Sequence, residues 1–433
     1  MKLLDLPLEL LLIVLCFCDV SSVVSASQTN KMVHDLASSR IVWISLVSDL
    51  QPRGFVDRLS AADVRVMPTS DLVALVRRLV VGPAAWSPTQ SSAEHPSHSA
   101  SHVVLRPAIT PGHRFSQHDV AVLPPGEHVL LNNTRGLECW RVSDGVRVWR
   151  YKSESERVTA FAADVQDGGK SANLVICISG APPHRGIVFD WRSKTYCKVG
   201  ESASHWIALD FIPGHFIATS HERIEVYLMV ALAGRWVPAE GTVHLDETET
   251  VVLGRRMSPV VADSVRPKAM RSPMVAVTVQ PNPLVHGTFR VWIFLYPTRP
   301  HLQVPLDGHD ADDEATHLFC FRLGLGPDRA FAALAGASEG RPLQLRRLKT
   351  LRPPREASRC ITYAGHTLAL PEATAGRDSQ WVISRATPTP AGSWESVGLV
   401  KLKRRPHVAP VVTTYGGAVA YVARRSLIVQ YFE

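Results

Sequence analysis

The stretch Leu6-Pro7-Leu8-Glu9-Leu10-Leu11-Leu12-Ile13-Val14-Leu15-Cys16-Phe17-Cys18 decides how the rest of this chain is read. Pro7 suits the first turn of a helix, and Asp5 and Glu9 both favour its positive end. On a helix, Leu8, Leu11, Leu12 and Leu15 form one stripe at i, i+3, i+4 and i+7. Leu10, Ile13, Val14 and Phe17 form a second, nearly opposite. A helix that is apolar on two faces has to be covered on both. The segment it opens, about 50 residues in all, buries too little surface to enclose it. One stripe therefore faces the segment's own core, and the other calls for a partner. Each of its side chains contributes about 1.5–3 kcal/mol on full burial.

The same residues support a rival reading. Lys2, the apolar run from Leu10 to Cys18 and the small residues Val24-Ser25-Ala26 follow the layout of a secretory signal removed near residue 26. Asn132-Asn133-Thr134 is then a glycosylation acceptor, and the mature chain a secreted β-propeller, either a binding protein or a hydrolase. Asp5 and Glu9 cancel the positive start such a signal needs.

Composition sets the wider frame. At about 150 residues per domain, 433 residues allow two to four domains. A hydrophobic share of 45% with 20% charged residues excludes a disordered chain. The 31 prolines and 27 glycines are spread throughout, which favours many turns over long helices. A net charge of +8 on so long a chain is only a mild basic bias. Seven cysteines without a CxxC pair argue against a disulfide framework or a zinc site and for a reducing compartment. No apolar run reaches the ~18 residues that span a bilayer.

Several anchors beyond the opening stretch fall into one pattern: Leu6-Pro7-x-Glu9-Leu10-x-x-x-Val14, then Asp19-Val20, Val24-Ser25, Leu36 and Trp43-x-x-Leu46. Residues 1–50 resemble an F-box. Thr29-Asn30-Lys31 departs from the pattern, since the family often has a cysteine before basic residues there. The resemblance implies docking on the Skp-type adaptor of a cullin–RING ubiquitin ligase, with no catalysis in this chain, no cofactor, and a cytoplasmic or nuclear location. The adaptor contacts it implies are Leu6, Pro7, Glu9, Leu10, Ile13, Val14, Phe17 and Val20. Asp19 is placed to cap a second helix. Cys16 and Cys18, two apart and not facing each other on a helix, read as packing residues.

Residues 51–86 read as a helical extension. Ser60 with Asp63 forms a capping box for a short helix that Pro68 ends. Ser70-Asp71 is placed to cap another, with Leu72, Leu75, Val76 and Leu79 on one face and Arg77 and Arg78 near its end. Residues 87–102, rich in Ser, Pro and His, read as a linker. His95, His98 and His102 lack the Cys or carboxylate spacing of a metal site.

Residues 103–433 change to short β-favouring runs, among them His128–Asn132, Leu137–Val142, Val146–Tyr151, Phe216–Ser220, Phe289–Tyr296, Leu318–Leu323 and Leu427–Phe432. Asp144-Gly145 is a hairpin signal. Strands recur about every ten residues, an all-β sandwich-or-propeller pattern. At about 40–45 residues per blade the region holds roughly seven, or six with long loops. Two stretches, Leu137-Glu138-Cys139-Trp140-Arg141-Val142-x-x-Gly145 and Ile187-Val188-Phe189-Asp190-Trp191-x-x-x-Thr195, resemble part of a WD-type blade in degenerate form. The expected fold is a small all-α F-box bundle followed by an all-β domain, a six- or seven-bladed β-propeller that binds a protein substrate.

The sequence carries no GxSxG elbow, HExxH helix or Walker loop. Gly324-Leu325-Gly326 lacks the third glycine of a dinucleotide site. The acidic run Asp307, Asp310, Asp312, Asp313 and Glu314 misses the EF-hand spacing and reads as a solvated loop. Two basic clusters remain: Arg341, Arg346, Arg347, Lys349, Arg352 and Arg355, and Lys401, Lys403, Arg404 and Arg405. The second resembles a nuclear-localisation signal. Arg346, Arg347 and Arg352 are the candidates for holding an acidic or phosphorylated peptide. No aromatic residue is interleaved with either cluster, which argues against nucleic acid.

Overall fold

The computed structural model describes residues 6–53, 55–56, 60–82, 101–107, 120–123, 128–132, 136–152, 157–166, 171–179, 185–190, 193, 195–201, 208–219, 223–238, 251–253, 261–264, 274–296, 317–324, 344–351, 357–363, 366–371, 382–388, 394–402, 411–412, 418–423 and 426–432. Its N-terminal part is a helical bundle. The helices are α1 (Leu8–Cys16), α2 (Val20–Ser27), α3 (Lys31–Ala37), α4 (Arg40–Leu50), α5 (Ala61–Val66) and α6 (Thr69–Val81). Each of α2, α3 and α5 starts at a side-chain cap. The Asp19 carboxylate accepts from Ser22 N at 2.7 Å and the Asn30 amide oxygen from Val33 N at 2.9 Å. Ser60 and Asp63 make the reciprocal capping box, which holds the Asp63 carboxyl below its usual pKa. Asn30 thus caps α3 from within Thr29-Asn30-Lys31, the stretch that departs from the family pattern. The cap expected at Ser70-Asp71 lies at Pro68 instead. Proline's fixed φ starts the helix there, and Asp71 falls in the first turn, where the dipole still favours it.

Leu15, Val20, Val23, Val42, Leu46, Val47, Leu50, Val64, Leu72, Val76 and Leu79 form one core across all six helices but α3, which adds Ala37. The extension therefore completes the bundle. Removing residues 1–26 would strip Leu11, Leu15, Val20 and Val23 from its interior. Asn132, the glycosylation acceptor of the secreted reading, is itself buried in a strand. Among the described residues, no helix is long and apolar enough to cross a membrane.

Among the described residues, the strands that follow form six small sheets. The first is β2 (Val120–Leu123), β3 (His128–Asn132), β4 (Gly136–Arg141) and β5 (Arg147–Lys152). The second is β6 (Arg157–Gln166), β7 (Ser171–Ser179), β8 (Arg185–Asp190) and β9 (Thr195–Glu201). Short strands β13 (Val237–Pro238) and β14 (Val251–Leu253) join β9, the latter in parallel. The third is β10 (Ala208–Ile212), β11 (His215–Thr219), β12 (Arg223–Leu228) and β15 (Val261–Ser264). The fourth is β16 (Met274–Pro281), β17 (Thr288–Tyr296), β18 (His317–Gly324) and β19 (Gln344–Leu351). The fifth is β20 (Ala357–Tyr363), β21 (His366–Pro371), β22 (Val382–Pro388) and β23 (Trp394–Lys401). The sixth is β24 (Val411–Val412), β25 (Ala418–Ala423) and β26 (Ser426–Tyr431), and its fourth strand is β1 (Ser101–Leu105) from the start of the β region. This first strand opens two residues before the 103 boundary read from the sequence.

At five junctions neighbouring sheets meet through their first strands: β2 lies beside β6, β6 beside β10, β10 beside β16, and β24 beside both β20 and β2. The cores lie between them. Phe211, Phe216 and Tyr227 of the third sheet pack on Val188 and Cys197 of the second. Its other side, with Ile217, Ile224 and Val226, packs on Val291, Ile293 and Phe321 of the fourth. Val129 and Leu131 of the first sheet meet Ala420, Leu427 and Val429 of the sixth. The Asp210 carboxylate also accepts from Val279 N at 2.7 Å, a polar tie from third sheet to fourth. Asp144-Gly145 turns as expected between β4 and β5, Gly145 at φ 67° and the Asp144 carboxylate accepting from Val146 N.

Bundle and sheets share a seam. The β16–β17 hairpin carries Leu284 into the bundle core. Ser21 N donates to Leu284 O at 2.9 Å and the Arg53 guanidinium to Asn282 O at 2.9 Å. Arg53 is steadied by Asp49 at 2.8 Å and lies over the Phe55 ring. Farther along, Arg78 of α6 donates to Phe432 O at 2.9 Å. Gly287 gives the hairpin its positive φ of 65°.

His286 sits at this seam. Partial desolvation at the seam, and then the nearby Arg53, hold its pKa below the usual value against the opposing pull of Asp49 and Asp19, although the ring keeps an exposed edge. The folded chain thus prefers the neutral ring. Its contribution is complete above about pH 6.5, the unfolded value, and is lost as pH falls through the lower folded one. On acidification below about pH 6.5 the wild-type melting temperature should drop more steeply than that of His286→Gln. Parallel pH profiles of the two proteins by circular dichroism check this.

Candidate functional site

Pro7 starts α1 with its carbonyl accepting from Leu10 N and Leu11 N at 3.0 and 3.1 Å, and Glu9 lies in the first turn. The far end is held by Ser45 of α4, whose hydroxyl donates to Cys16 O at 2.8 Å. This fixes the rotation of α1 on the bundle. Leu11 and Leu15 are buried, and Leu12 packs at the edge of the core. The opposite stripe is open: Leu10 is 47% exposed, Ile13 52%, Val14 41% and Phe17 88%. The two faces expected from the sequence are both present.

Three details differ from the expectation. Leu8, counted with the covered stripe, is 51% exposed, because it lies in the first turn, where the bundle does not reach. Val20, counted as an adaptor contact, is only 4% exposed: as the first residue after the Asp19 cap it turns into the bundle core. Val24, Met32 and Ile41, each flanking a buried valine, add exposed apolar surface on α2, α3 and α4 that spacing on α1 alone did not reveal. Leu6 is half-buried, and Pro7 and Glu9 are exposed.

The chemistry at this face is that of contact. Burial raises the pKa of the Cys16 thiol; burial and then the Asp19 charge do the same for Cys18. Both side chains pack against the bundle core. Elsewhere, burial pushes Cys139 up to about 12 and Cys197 to about 11, so neither forms a thiolate at neutral pH. Among the described residues no three His, Cys, Asp or Glu side chains are grouped to hold a metal.

The basic candidates separate. Arg346 and Arg347 are exposed neighbours on β19, the outer strand of the fourth sheet. Alternation sends them to opposite faces. The Arg347 guanidinium lies over the Phe319 and Phe321 rings at 5.1 and 5.4 Å. Arg352 falls outside the described residues, as do His95, His98, the acidic run Asp307–Glu314 and Lys403-Arg404-Arg405. The sequence grouping of the three arginines is thus not a spatial one for Arg346 and Arg347.

Residues 3–45 match the F-box domain family, so the N-terminal helices carry an F-box domain. No curated protein matches the chain. Among solved structures, one chain of a mitotic checkpoint complex crystal structure is similar at 10% identity and TM-score 0.41, over 80% of this chain and 96% of that one. A chain of Kuenenia stuttgartiensis hydrazine synthase is similar at 10% identity and TM-score 0.35, over 72% of this chain and 76% of that one.

Proposed function

We propose that this protein is an F-box substrate receptor, docking on the Skp-type adaptor of a cullin–RING ubiquitin ligase through the outer face of α1. In this reading the β-rich region is a six-bladed propeller that recruits a protein substrate, and ubiquitin transfer is left to other subunits. The observation that carries the reading is the uncovered stripe Leu10, Ile13, Val14 and Phe17 along α1 and its C-cap, opposite Leu11 and Leu15, which are buried in the bundle. Monomeric proteins seldom leave such a run of large apolar side chains together without a partner for it. The propeller reading is supported by six successive, mainly antiparallel sheets among the described residues, by first strands lying side by side at five of their junctions, and by β1 closing the sixth sheet. Closing a sheet with strands from both ends of the β region joins the first and last units of a ring, which protects it from opening.

Co-expression with a Skp-type adaptor is the test. The adaptor should co-purify with the wild-type chain and not with Ile13→Asp; equal recovery with both would overturn the docking role.

A further inference from the structure

The fourth sheet sets three arginines in a row. Arg290 on β17 stands directly opposite Arg322 on β18, and Arg322 directly opposite Arg346 on β19. All three are exposed, and among the described residues none has an ion-pair partner. Strand spacing of about 4.8 Å places the three within about 10 Å of one another. Like charges directly opposite destabilise a sheet, so the row is held against its own repulsion.

Arg347, one residue from the row, shows the contrast. The bulge between Cys320 and Phe321 sets it opposite Phe321, and its guanidinium covers two phenylalanine rings on the other face. That arginine has a structural use; the three in the row have none of this kind.

The geometry points to an anion-binding surface formed by Arg290, Arg322 and Arg346, whose ligand is an acidic segment of a partner protein presenting several carboxylates within about 10 Å. Guanidinium groups bind carboxylates through paired hydrogen bonds and stay charged at every relevant pH. Single-stranded nucleic acid fits less well, since its sites combine charge with aromatic platforms. The aromatics Phe289, Trp292, Phe294, Phe319 and Phe321 on the same strands are buried and offer no such platform. The row lies close to the β16–β17 hairpin, for Arg290 pairs with Gln280 just before the turn that enters the helical bundle. A segment bound there is held near the bundle. That this segment belongs to the recruited substrate rests on the adaptor reading above; that the row binds carboxylates does not.

The full chain and a labelled glutamate-rich peptide test it by fluorescence anisotropy, without any adaptor. Wild type should bind, more weakly as salt rises. The triple variant Arg290→Gln, Arg322→Gln, Arg346→Gln should bind about tenfold more weakly or worse, and Arg347→Gln should bind as wild type does. Because the triple change relieves like-charge repulsion, its melting temperature should equal or exceed that of wild type, which keeps misfolding out of the comparison. Equal binding by wild type and the triple variant would overturn the site. A single-stranded RNA of equal charge that displaces the peptide at lower concentration would overturn the choice of ligand. Failure here leaves α1 docking untouched, and loss of adaptor co-purification leaves this site standing.

Discussion

Ile13→Asp should abolish co-purification with a Skp-type adaptor while leaving the melting temperature almost unchanged, and Leu15→Asp, two residues along the same helix, should unfold the bundle. Ile13 is half exposed, so an aspartate there remains in water, and a surface change of this kind stays within about 0.5 kcal/mol. In the docked state the same carboxylate is forced into an apolar contact. The lost isoleucine burial, about 1.5–3 kcal/mol, adds to the desolvation of an unpaired charge, several kcal/mol more. At 1.4 kcal/mol per decade the affinity falls by at least about a hundredfold. Leu15 is 7% exposed among Val20, Val23, Val42 and Leu46. Leu→Ala at such a site costs about 2–5 kcal/mol, and a buried carboxylate costs more, against a total stability of about 5–15 kcal/mol. Pull-down and thermal melts of both variants separate the two faces. An Ile13→Asp protein that melts as early as Leu15→Asp would mean that the outer stripe is structural.

A second large effect belongs to β1. A chain beginning at Ser101 should fold and melt cooperatively, whereas one beginning at Pro107 should aggregate. The five residues Ser101–Leu105 pair with Tyr431–Leu427, and Leu105 is buried with Val129, Leu131, Val422 and Val429. Their removal takes away the burial of Leu105, about 1.5–3 kcal/mol, and ladder hydrogen bonds at about 1 kcal/mol each. It also leaves β26 as an unprotected edge in the sheet that joins the start and the end of the β region. The loss is comparable with the whole net stability of a domain, about 5–15 kcal/mol. Size-exclusion chromatography with circular dichroism on the two fragments gives the answer. If the Ser101 fragment also aggregates, the cover that the bundle provides for Leu284 is part of the β core.

The helical part was legible because its signals are local. Apolar spacing on α1, the Asp19 and Ser60 caps, and the Leu72–Leu79 face each lie within a few residues of sequence, and each is where it was expected. The strands with dense apolar alternation, such as β3, β17 and β26, were equally plain. Thr195–Glu201, with lysine, glycine and glutamate in one run, and the two-residue β24 carry too little pattern to read, and pairing alone makes them strands. Val20 was misplaced because its apolar character fits either side of a bundle wall, and only the packing of α2 decides. The row of arginines was beyond the sequence altogether. Its members lie on three strands separated by long connections, and their alignment depends on register, which nothing in a single sequence fixes across such distances. Arg346 stood out only through its chain neighbours, of which Arg347 lies on the opposite face.

The seam between helices and sheets has a consequence for how the two parts can change over time. On the β side its acceptors are main-chain oxygens, those of Asn282, Leu284 and Phe432, while the donors are Arg53, Arg78 and the Ser21 amide on the helical side. A carbonyl is present whatever residue supplies it. Changing the side chain at 282 or 432 would not remove these acceptors, but it would disturb what places them: the Asn282 amide oxygen accepts from Leu284 N at 3.0 Å, Phe432 is buried, and Leu284 packs against the bundle core. The helical module thus reads the path of its neighbour more than its composition. A change in that path, more than in any one polar side chain on the β side, is what would undo the joint.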